Sequence, residues 1–229
     1  MQGPGPWAVP ERHPLLGATE VHVWRAALDP GPERLAALAA SLCDGELGRA
    51  GRHGLEKHRR RFVAARGRLR ALLGRYLATD PSEVRFVYGA HGKPALAGPE
   101  SALRFSVAHS GDLALFAVAL EREVGIDLEA TDGGIDHAAS AERFFSAGES
   151  AALRRLPAGQ RAQAFYACWV RKEAYVKALG AGLSAPRGVF EAPPGSVQGF
   201  SFHGLAPGPG FCAALALEGA ASVRCFSVA

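Results

Sequence analysis

Residues 122–130 read REVGIDLEA, an apolar run that closes with two carboxylates, Asp127 and Glu129. In a β-strand the side chains at positions i and i+2 leave the same face, so these two carboxylates lie side by side. Like charges at that spacing repel each other unless water solvates them or a cation bridges them. The pattern therefore fits either the solvent-facing edge of a sheet or a site for a hard divalent cation such as Mg²⁺, which takes oxygen ligands.

The composition is that of an ordinary folded protein. Of the 229 residues, 48% are hydrophobic and 21% are charged, which argues against a disordered chain. Cys43, Cys168, Cys212 and Cys225 are scattered without C-x-x-C spacing, so they indicate a reducing compartment rather than a disulfide framework. We read neither a signal peptide nor an apolar run long enough to span a bilayer. The expected location is the cytoplasm, with no membrane partner.

The order helix, glycine turn, strand hairpin occurs twice along the chain. A helix over 56–78 ends in LLG and precedes GAHGKPAL and a hairpin over 103–120, while a helix over 161–179 ends in ALG and precedes GAGLSAP and further short strands. The sequence therefore predicts an α+β fold of two similar α/β halves in a pseudo-twofold arrangement. The halves are expected to be residues 1–121 and 122–229, which places the carboxylate strand at their junction.

The first long helix is predicted to be amphipathic and strongly basic. Its apolar positions recur at steps of three and four and form one stripe: Phe62, Ala65, Leu69, Leu72 and Tyr76. Arginines follow both sides of that stripe, with Arg59, Arg66 and Arg70 in one row and Arg61, Arg68 and Arg75 in the other. A basic patch of this density predicts an anionic partner.

The second long helix carries a further set of charged residues on one face. These are Trp169, Lys172, Glu173, Val176 and Lys177. Taken alone, the face fits a solvated surface in which Glu173 and Lys177 form a favourable i,i+4 pair. A tryptophan in the middle of it argues for cover, however, and we expect Trp169 to form a wall of a cleft. Together with Asp127 and Glu129, Glu173 completes three carboxylates beside two lysines, a set suited to phosphoryl transfer.

These motifs together resemble a known enzyme family. VGIDLE, FFSAGE and WVRKEAYVKALGAGL, with GKPAL and FSVAHSG upstream, are similar to the larger, surfactin-synthetase-activating type of 4′-phosphopantetheinyl transferase. The resemblance covers roughly residues 57–190 and implies a monomer that is a pseudodimer of two fused copies. It also implies a holo-[acyl-carrier-protein] synthase reaction. A serine of an apo acyl- or peptidyl-carrier protein attacks coenzyme A (CoA), takes the 4′-phosphopantetheine arm and releases 3′,5′-ADP.

The resemblance assigns catalytic roles to four residues of the second half. Asp127, Glu129 and Glu173 are expected to hold Mg²⁺, with Mn²⁺ as an alternative ion, on the pyrophosphate of CoA. Glu173 is also expected to take the serine proton, directly or through water. Lys177 is expected to stabilise the α-phosphate of the departing ADP.

The resemblance also implies a set of CoA contacts, most of them in the first half. Lys172 and Lys177 are expected to contact phosphate from the second long helix, and His109 and Ser110 from the hairpin turn. Lys93 is expected near the adenine or the 3′-phosphate. For the 3′-phosphate itself we expect Arg61 and Arg66, because one side of the basic helix should face the cleft.

Two other functions remain open at this stage. A metal-dependent nuclease usually carries E-x-K on a strand directly after its first acid, whereas Lys172 and Glu173 follow Asp127 by more than 40 positions and lie on a helix. A non-catalytic nucleic-acid-binding module built on the arginine-rich helix needs exposed aromatics among the basic residues, and residues 57–75 offer only Phe62. We therefore expect CoA and a carrier protein as partners, and no nucleic acid. Glu149 is expected to be structural, because Ser146 and Glu149 form a capping box.

Overall fold

Two four-stranded sheets and two long helices form the framework of the protein. The computed structural model describes residues 7–98, 102–132, 137–181 and 196–228. The helices are α1 (Pro32–Ala39), α2 (Asp44–Gly51), α3 (Glu56–Leu77), α4 (His137–Phe144), α5 (Ala147–Arg155) and α6 (Ala158–Leu179). The strands are β1 (Glu20–Ala27), β2 (Phe86–Tyr88), β3 (Pro94–Leu96), β4 (Leu103–Ser110), β5 (Leu113–Leu120), β6 (Val124–Ala130), β7 (Ser196–Val197), β8 (Phe200–Leu205), β9 (Phe211–Glu218) and β10 (Ser222–Ser227).

The two sheets share the order of three strands, β1-β5-β4 in the first and β6-β9-β8 in the second. The first runs β10-β1-β5-β4 and the second β6-β9-β8-β7, while β2 and β3 form a separate hairpin. In the first sheet β5 is antiparallel to β1 and β4, and in the second β9 is antiparallel to β6 and β8. The last strand, β10, returns to pair in parallel with β1. Residues near the end of the chain thus complete the sheet built by residues near its beginning.

Apolar clusters divide the protein into four layers. The stripe of α3 packs on one face of the first sheet, where Leu69 and Leu72 meet Trp24 and Phe116. The other face of that sheet packs against the second sheet, and α6 covers the outer face of the second sheet. The order of layers is therefore α3, first sheet, second sheet, α6, and each long helix is stabilised by the apolar face it buries.

The main elements predicted from the sequence are confirmed. Helices α3 and α6 lie within a few residues of their predicted bounds, and α6 ends at Gly180, which has the left-handed φ of 66° expected of a C-terminal glycine. Strands β4, β5 and β6 also agree with prediction. Helices α2 and α4 and strands β3 and β7 were not predicted. A further strand expected near 188–192 falls outside the described residues.

Gly125 in β6 allows α6 to lie directly on the strand. A Cβ at this position would be 1.9 Å from the carbonyl oxygen of Ala174 and 2.3 Å from the amide nitrogen of Ala178. Only glycine has no Cβ, so only glycine permits the backbones of strand and helix to approach this closely. The approach sets the distance between the charged residues of α6 and those of β6.

Two arginines of the predicted basic rows of α3, Arg68 and Arg70, are buried and so are not available to an anionic partner. Arg68 is 7% exposed and Arg70 is 2% exposed. Arg70 Nε donates to Glu46 Oε2 at 2.7 Å, and its Nη1 donates to the carbonyl oxygens of Pro81 and Val84 at 2.9 Å each. Glu46 lies on α2, an unpredicted helix, so the α3 periodicity could not show that an acid was there to pair with Arg70.

None of the helices within the described residues is both long and apolar enough to cross a membrane.

Candidate active site

Strand β6 and helix α6 bring four charged side chains together. Lys177 Nζ donates to Asp127 Oδ1 at 2.6 Å, and Asp127 and Glu173 are 5% and 7% exposed. Burial raises the pKa of Asp127 to about 6; Lys177 opposes that rise, and the charges of Glu129 and Glu173 add to it. The fold therefore brings these four side chains together, as the sequence predicted. The two carboxylates of β6 do not lie on a solvent-facing edge.

Glu129 is held in place by donors from two other elements. Trp169 Nε1 donates to Glu129 Oε1 at 3.2 Å, and Ser110 Oγ donates to Glu129 Oε2 at 3.3 Å. Ser110 Oγ also accepts the amide N–H of Ala130 at 3.0 Å. Ser110, expected to reach the phosphates of CoA, is thus bound to β6 instead. Trp169, expected to form a wall of the cleft, packs among aromatic side chains of α4 and α6 and also donates this hydrogen bond, a role that its position alone did not indicate.

A second serine joins the edges of the two sheets. Ser106, also on β4, is 5% exposed and accepts the amide N–H of Ile126 at 3.1 Å. Ser106 and Ser110 are four residues apart, and so are the two β6 amides that they bind. The hydroxyls fix the position of β6 along β4. The alternation of β4 puts both serines on one face, a signal that could have suggested a shared partner but not which strand it was.

The carboxylates have the chemistry of a divalent-cation site, but hydrogen bonds from neighbouring side chains occupy several of their oxygens. Three carboxylates offer the oxygen ligands that hard cations take, and no donor among the described residues reaches the buried Oδ2 of Asp127. In the same part of the chain, no three His, Cys, Asp or Glu side chains converge in a metal-binding geometry. Lys177 occupies Asp127 Oδ1, and Trp169 and Ser110 bind the two oxygens of Glu129.

A cleft leads from these residues toward α3. One cavity of about 230 Å³ is lined by Glu173, Lys177 and the neighbouring hairpin, and an adjacent one of about 210 Å³ is lined by residues of α2, α3 and β4. The second cavity includes His109, Arg49, Arg66 and Tyr88. Burial lowers the pKa of His109, and the positive charge of Lys177 lowers it further, so His109 is neutral at pH 7.

The arginines predicted for the 3′-phosphate both lie toward this cleft. Arg66 lines the second cavity, with its Nε 3.3 Å from Glu46 Oε1 and its Nη2 donating to Tyr88 Oη at 2.8 Å. Arg61 is half-buried and close enough to His109 to contribute to lowering its pKa. Arg49, on α2, was missed; its guanidinium lies 5.8 Å from the ring centroid of Tyr88. Only the prediction of α2 could have indicated Arg49.

The expected phosphate contact of Lys172 disagrees with its position. Lys172 is 1% exposed and its Nζ lies 2.8 Å from Glu149 Oε2, inside the protein. Glu149 also forms the predicted capping box, because its Oε2 accepts the N–H of Ser146 at 2.8 Å and its own N–H donates to Ser146 Oγ at 3.1 Å. The structural role predicted for Glu149 is confirmed, and Lys172 shares it. A helical wheel of α6 alone could not show which of its faces would be covered by α5.

Lys93 also lies apart from the role expected of it. Its stem lines the cavity next to Glu173, but its Nζ donates to Glu123 Oε2 at 2.7 Å and to the Ala178 carbonyl oxygen at 2.8 Å. The ammonium therefore binds at the end of α6.

Comparison with known proteins gives one consistent result. Residues 123–219 match the 4′-phosphopantetheinyl transferase superfamily. The chain is 46% identical over 171 residues to the 4′-phosphopantetheinyl transferase HetI of Nostoc sp., an alignment covering 74% of this chain and 72% of HetI. It is 37% identical over 146 residues to a putative 4′-phosphopantetheinyl transferase of Synechocystis sp., covering 63% and 59%. Over 118 residues it is 32% identical to the 4′-phosphopantetheinyl transferase Sfp of Bacillus subtilis, covering 52% and 51%.

Proposed function

This chain belongs to the 4′-phosphopantetheinyl transferase superfamily, and we propose that it uses Mg²⁺ to move the 4′-phosphopantetheine arm of CoA onto a serine of an apo carrier protein, releasing 3′,5′-ADP. The observation that carries the proposal is the placement of Glu173 and Lys177 on α6 directly against Asp127 and Glu129 on β6. The relatives reported above carry the name 4′-phosphopantetheinyl transferase, the Synechocystis protein as a putative one. They give no support to a nuclease or a nucleic-acid-binding module, the two alternatives that the arginines had left open.

The chemistry is an in-line displacement at phosphorus. The serine Oγ forms a bond to the β-phosphorus of CoA, the bond from that phosphorus to the bridging oxygen breaks, and 3′,5′-ADP leaves with the electron pair. Asp127, Glu129 and Glu173 would hold a divalent cation, Mg²⁺ or alternatively Mn²⁺, which would supply positive charge to the pyrophosphate when bound. Glu173 takes the serine proton, directly or through a water molecule. Lys177, whose ammonium already lies among the carboxylates, neutralises charge on the departing α-phosphate.

The cavity lined by α2 and α3 takes the nucleotide end of CoA. Arg49, Arg66 and His109 line it, with Arg61 nearby, and an anionic 3′-phosphate is attracted to a site with two or more guanidinium groups. Because Glu46 already pairs with Arg66, we assign the larger share of the phosphate contact to Arg49 and Arg61. His109, neutral at pH 7, contributes a hydrogen bond rather than a charge.

The chain is a pseudodimer that works as a monomer. The shared strand order of the two sheets and the covering of each by one long helix support the boundary between residues 1–121 and 122–229. The superfamily match over 123–219 supports it as well. The first half supplies the nucleotide contacts and the second the carboxylates and α6. The carrier protein belongs to fatty acid, polyketide or nonribosomal peptide synthesis, and the enzyme works in the cytoplasm.

The test is the intact mass of purified apo-carrier proteins after incubation with the enzyme, CoA and Mg²⁺. A gain of about 340 Da, the mass of one phosphopantetheine group, is expected, and EDTA should abolish it. Glu129→Ala should abolish it too, while Glu33→Ala, which removes an exposed acid on α1, should not. No gain on carriers of all three kinds, together with no CoA binding by calorimetry, would overturn the assignment.

A further inference from the structure

Lys93 connects the hairpin of the first half to the catalytic helix and strand of the second. It immediately precedes β3, in the turn after β2, and its Nζ donates to the Ala178 carbonyl oxygen and to Glu123 Oε2. The Val124 carbonyl oxygen lies 3.4 Å from the same Nζ. The acceptors belong to the last turn of α6, to the first residue of β6 and to the residue just before it, so one ammonium binds both elements that carry the active-site charges.

The contact supplies a hydrogen-bond donor to the C-terminal end of α6. The last carbonyls of an α-helix have no partner within the helix. Beyond the end of α6, the N–H of Gly180 donates to the Lys177 carbonyl at 3.3 Å and the N–H of Ala181 to the Val176 carbonyl at 3.2 Å. The Ala178 carbonyl receives the ammonium of Lys93, and a cation there also matches the negative end of the helix dipole.

The position of this contact links it to the chemistry. Ala178 follows Lys177 directly, and Glu173 lies one turn earlier on the same helix. Val124 opens the strand that carries Asp127. Lys93 also lines both the cavity next to Glu173 and a neighbouring groove of about 560 Å³. Loss of the ammonium would therefore remove one of the contacts that join the end of α6 to the start of β6.

We propose that Lys93 is a positioning residue, which holds the last turn of α6 against the start of β6 so that Lys177 and Glu173 stay in reach of the reacting phosphates. It does not bind the 3′-phosphate of CoA. The inference rests on the proposed transferase function, since it concerns the same site. If the wild-type enzyme neither modifies a carrier nor binds CoA, the proposed function fails, while hydrogen exchange still tests whether Lys93 holds the end of α6.

The experiment compares Lys93→Met with wild type, using CoA and dephospho-CoA, which lacks the 3′-phosphate. Methionine keeps most of the stem and removes the ammonium. For a positioning role we expect kcat to fall about tenfold with the KM for CoA unchanged, because misplaced catalytic groups slow the chemical step. The preference for CoA over dephospho-CoA, as a ratio of kcat/KM values, should equal that of wild type. A preference that collapses toward one would assign Lys93 to the 3′-phosphate and overturn the proposal, as would an unchanged kcat.

Hydrogen exchange supplies a readout that does not depend on activity. Amides of the last turn of α6, in a peptide covering residues 174–181, should exchange faster in Lys93→Met than in wild type, while amides of α3 should not change. Equal exchange in α6 would contradict the proposal.

Glu123→Gln is the matched control: it removes the charge of Glu123 but leaves the contact of Lys93 with Ala178, so kcat should stay near wild type. Should Lys93→Met not fold, Lys93→Gln, which still donates to a carbonyl, is expected to show a smaller loss of kcat by the same measurements.

Discussion

At the scale of single residues, Asp127 is the group whose protonation most directly controls the site. Its carboxyl is buried beside Lys177, and burial raises its pKa to about 6. Below that pH the carboxyl is protonated, so it no longer pairs with Lys177 or offers a charged ligand. The sign follows from the raised pKa: the useful, ionised form is present above about pH 6 and is lost on acidification through it.

The prediction is an acid limb near pH 6 in the pH profile of kcat/KM for CoA, measured at low Mg²⁺. Saturating Mg²⁺ should move the limb to lower pH, because a bound cation favours the ionised carboxylates. The three carboxylates interact, so the limb belongs to the cluster rather than to one group. A kcat/KM that stays constant from pH 7 down to pH 5 at low Mg²⁺ would contradict this account.

Ser110 gives a second prediction at the residue scale. Ser110→Ala removes the donor to Glu129 Oε2 and the acceptor for the N–H of Ala130, so Glu129 loses part of what orients it. Affinity for Mg²⁺, measured by calorimetry in the presence of a non-hydrolysable CoA analogue, should weaken about tenfold. Ser110→Thr keeps the hydroxyl and should recover most of the affinity. If Ser110 instead contacts phosphate, Ser110→Ala would weaken binding of the CoA analogue without Mg²⁺ as well.

At the scale of elements, the contact of α6 with β6 depends on one glycine. Gly125→Ala places a methyl group 1.9 Å from the Ala174 carbonyl oxygen, a distance that only movement of the helix or the strand can relieve. We expect a loss of about 3 kcal/mol in the free energy of unfolding, together with loss of carrier modification. Gly159→Ala is a matched control in the first turn of α6, where an added Cβ meets nothing within 4 Å. It should be neutral or stabilise by up to about 1 kcal/mol. Urea denaturation of both variants measures the difference, and equal midpoints would show that α6 does not rest on β6 as described.

Helix α2 shows why an element can escape sequence patterns and still position the site. Its segment, DGELGRAG, has three glycines and little apolar periodicity, so nothing in it predicted a helix. Its role emerges only in three dimensions, where Glu46 pairs with Arg66 and Arg70 and Arg49 lines the second cavity. By contrast, α3, α6 and β6 could be predicted, because their apolar spacing follows directly from the face each one buries.

The ion pairs between α2 and α3 lead to a further prediction. Glu46 is 4% exposed, and Glu46→Gln would leave the guanidinium groups of Arg66 and Arg70 without their carboxylate partner. Removing one partner of a buried ion pair costs on the order of 3 kcal/mol, so the urea midpoint should fall accordingly. The KM for CoA should also rise, because α2 carries Arg49. Glu33→Gln, at an exposed acid of α1, should change neither quantity.

At the scale of the whole molecule, the residue types of the active site could be predicted, but not what each of them contacts. The motifs and the family that they resemble predicted one site for Asp127, Glu129, Glu173 and Lys177, and the structure groups them. Lys172 lay on the same predicted face, yet the structure buries it under α5. The difference arises because helical periodicity defines faces of a helix, whereas the packing of other elements decides which of those faces the solvent reaches.

The molecule is not two separate domains joined end to end, although the order of elements repeats along its sequence. Strand β10, from the second half, pairs with β1 of the first, and the layer between the sheets draws its apolar side chains from both halves. A piece comprising residues 1–121 would therefore lack a strand of its sheet and expose that layer, and a piece comprising 122–229 would expose the other side of it. We predict that neither piece expressed alone unfolds cooperatively, and that co-expression restores both a cooperative transition and carrier modification. Circular dichroism during thermal unfolding and the mass assay on a carrier protein measure the two outcomes. Cooperative unfolding of residues 1–121 alone would mean that the contribution of β10 is dispensable and that the halves are independent domains.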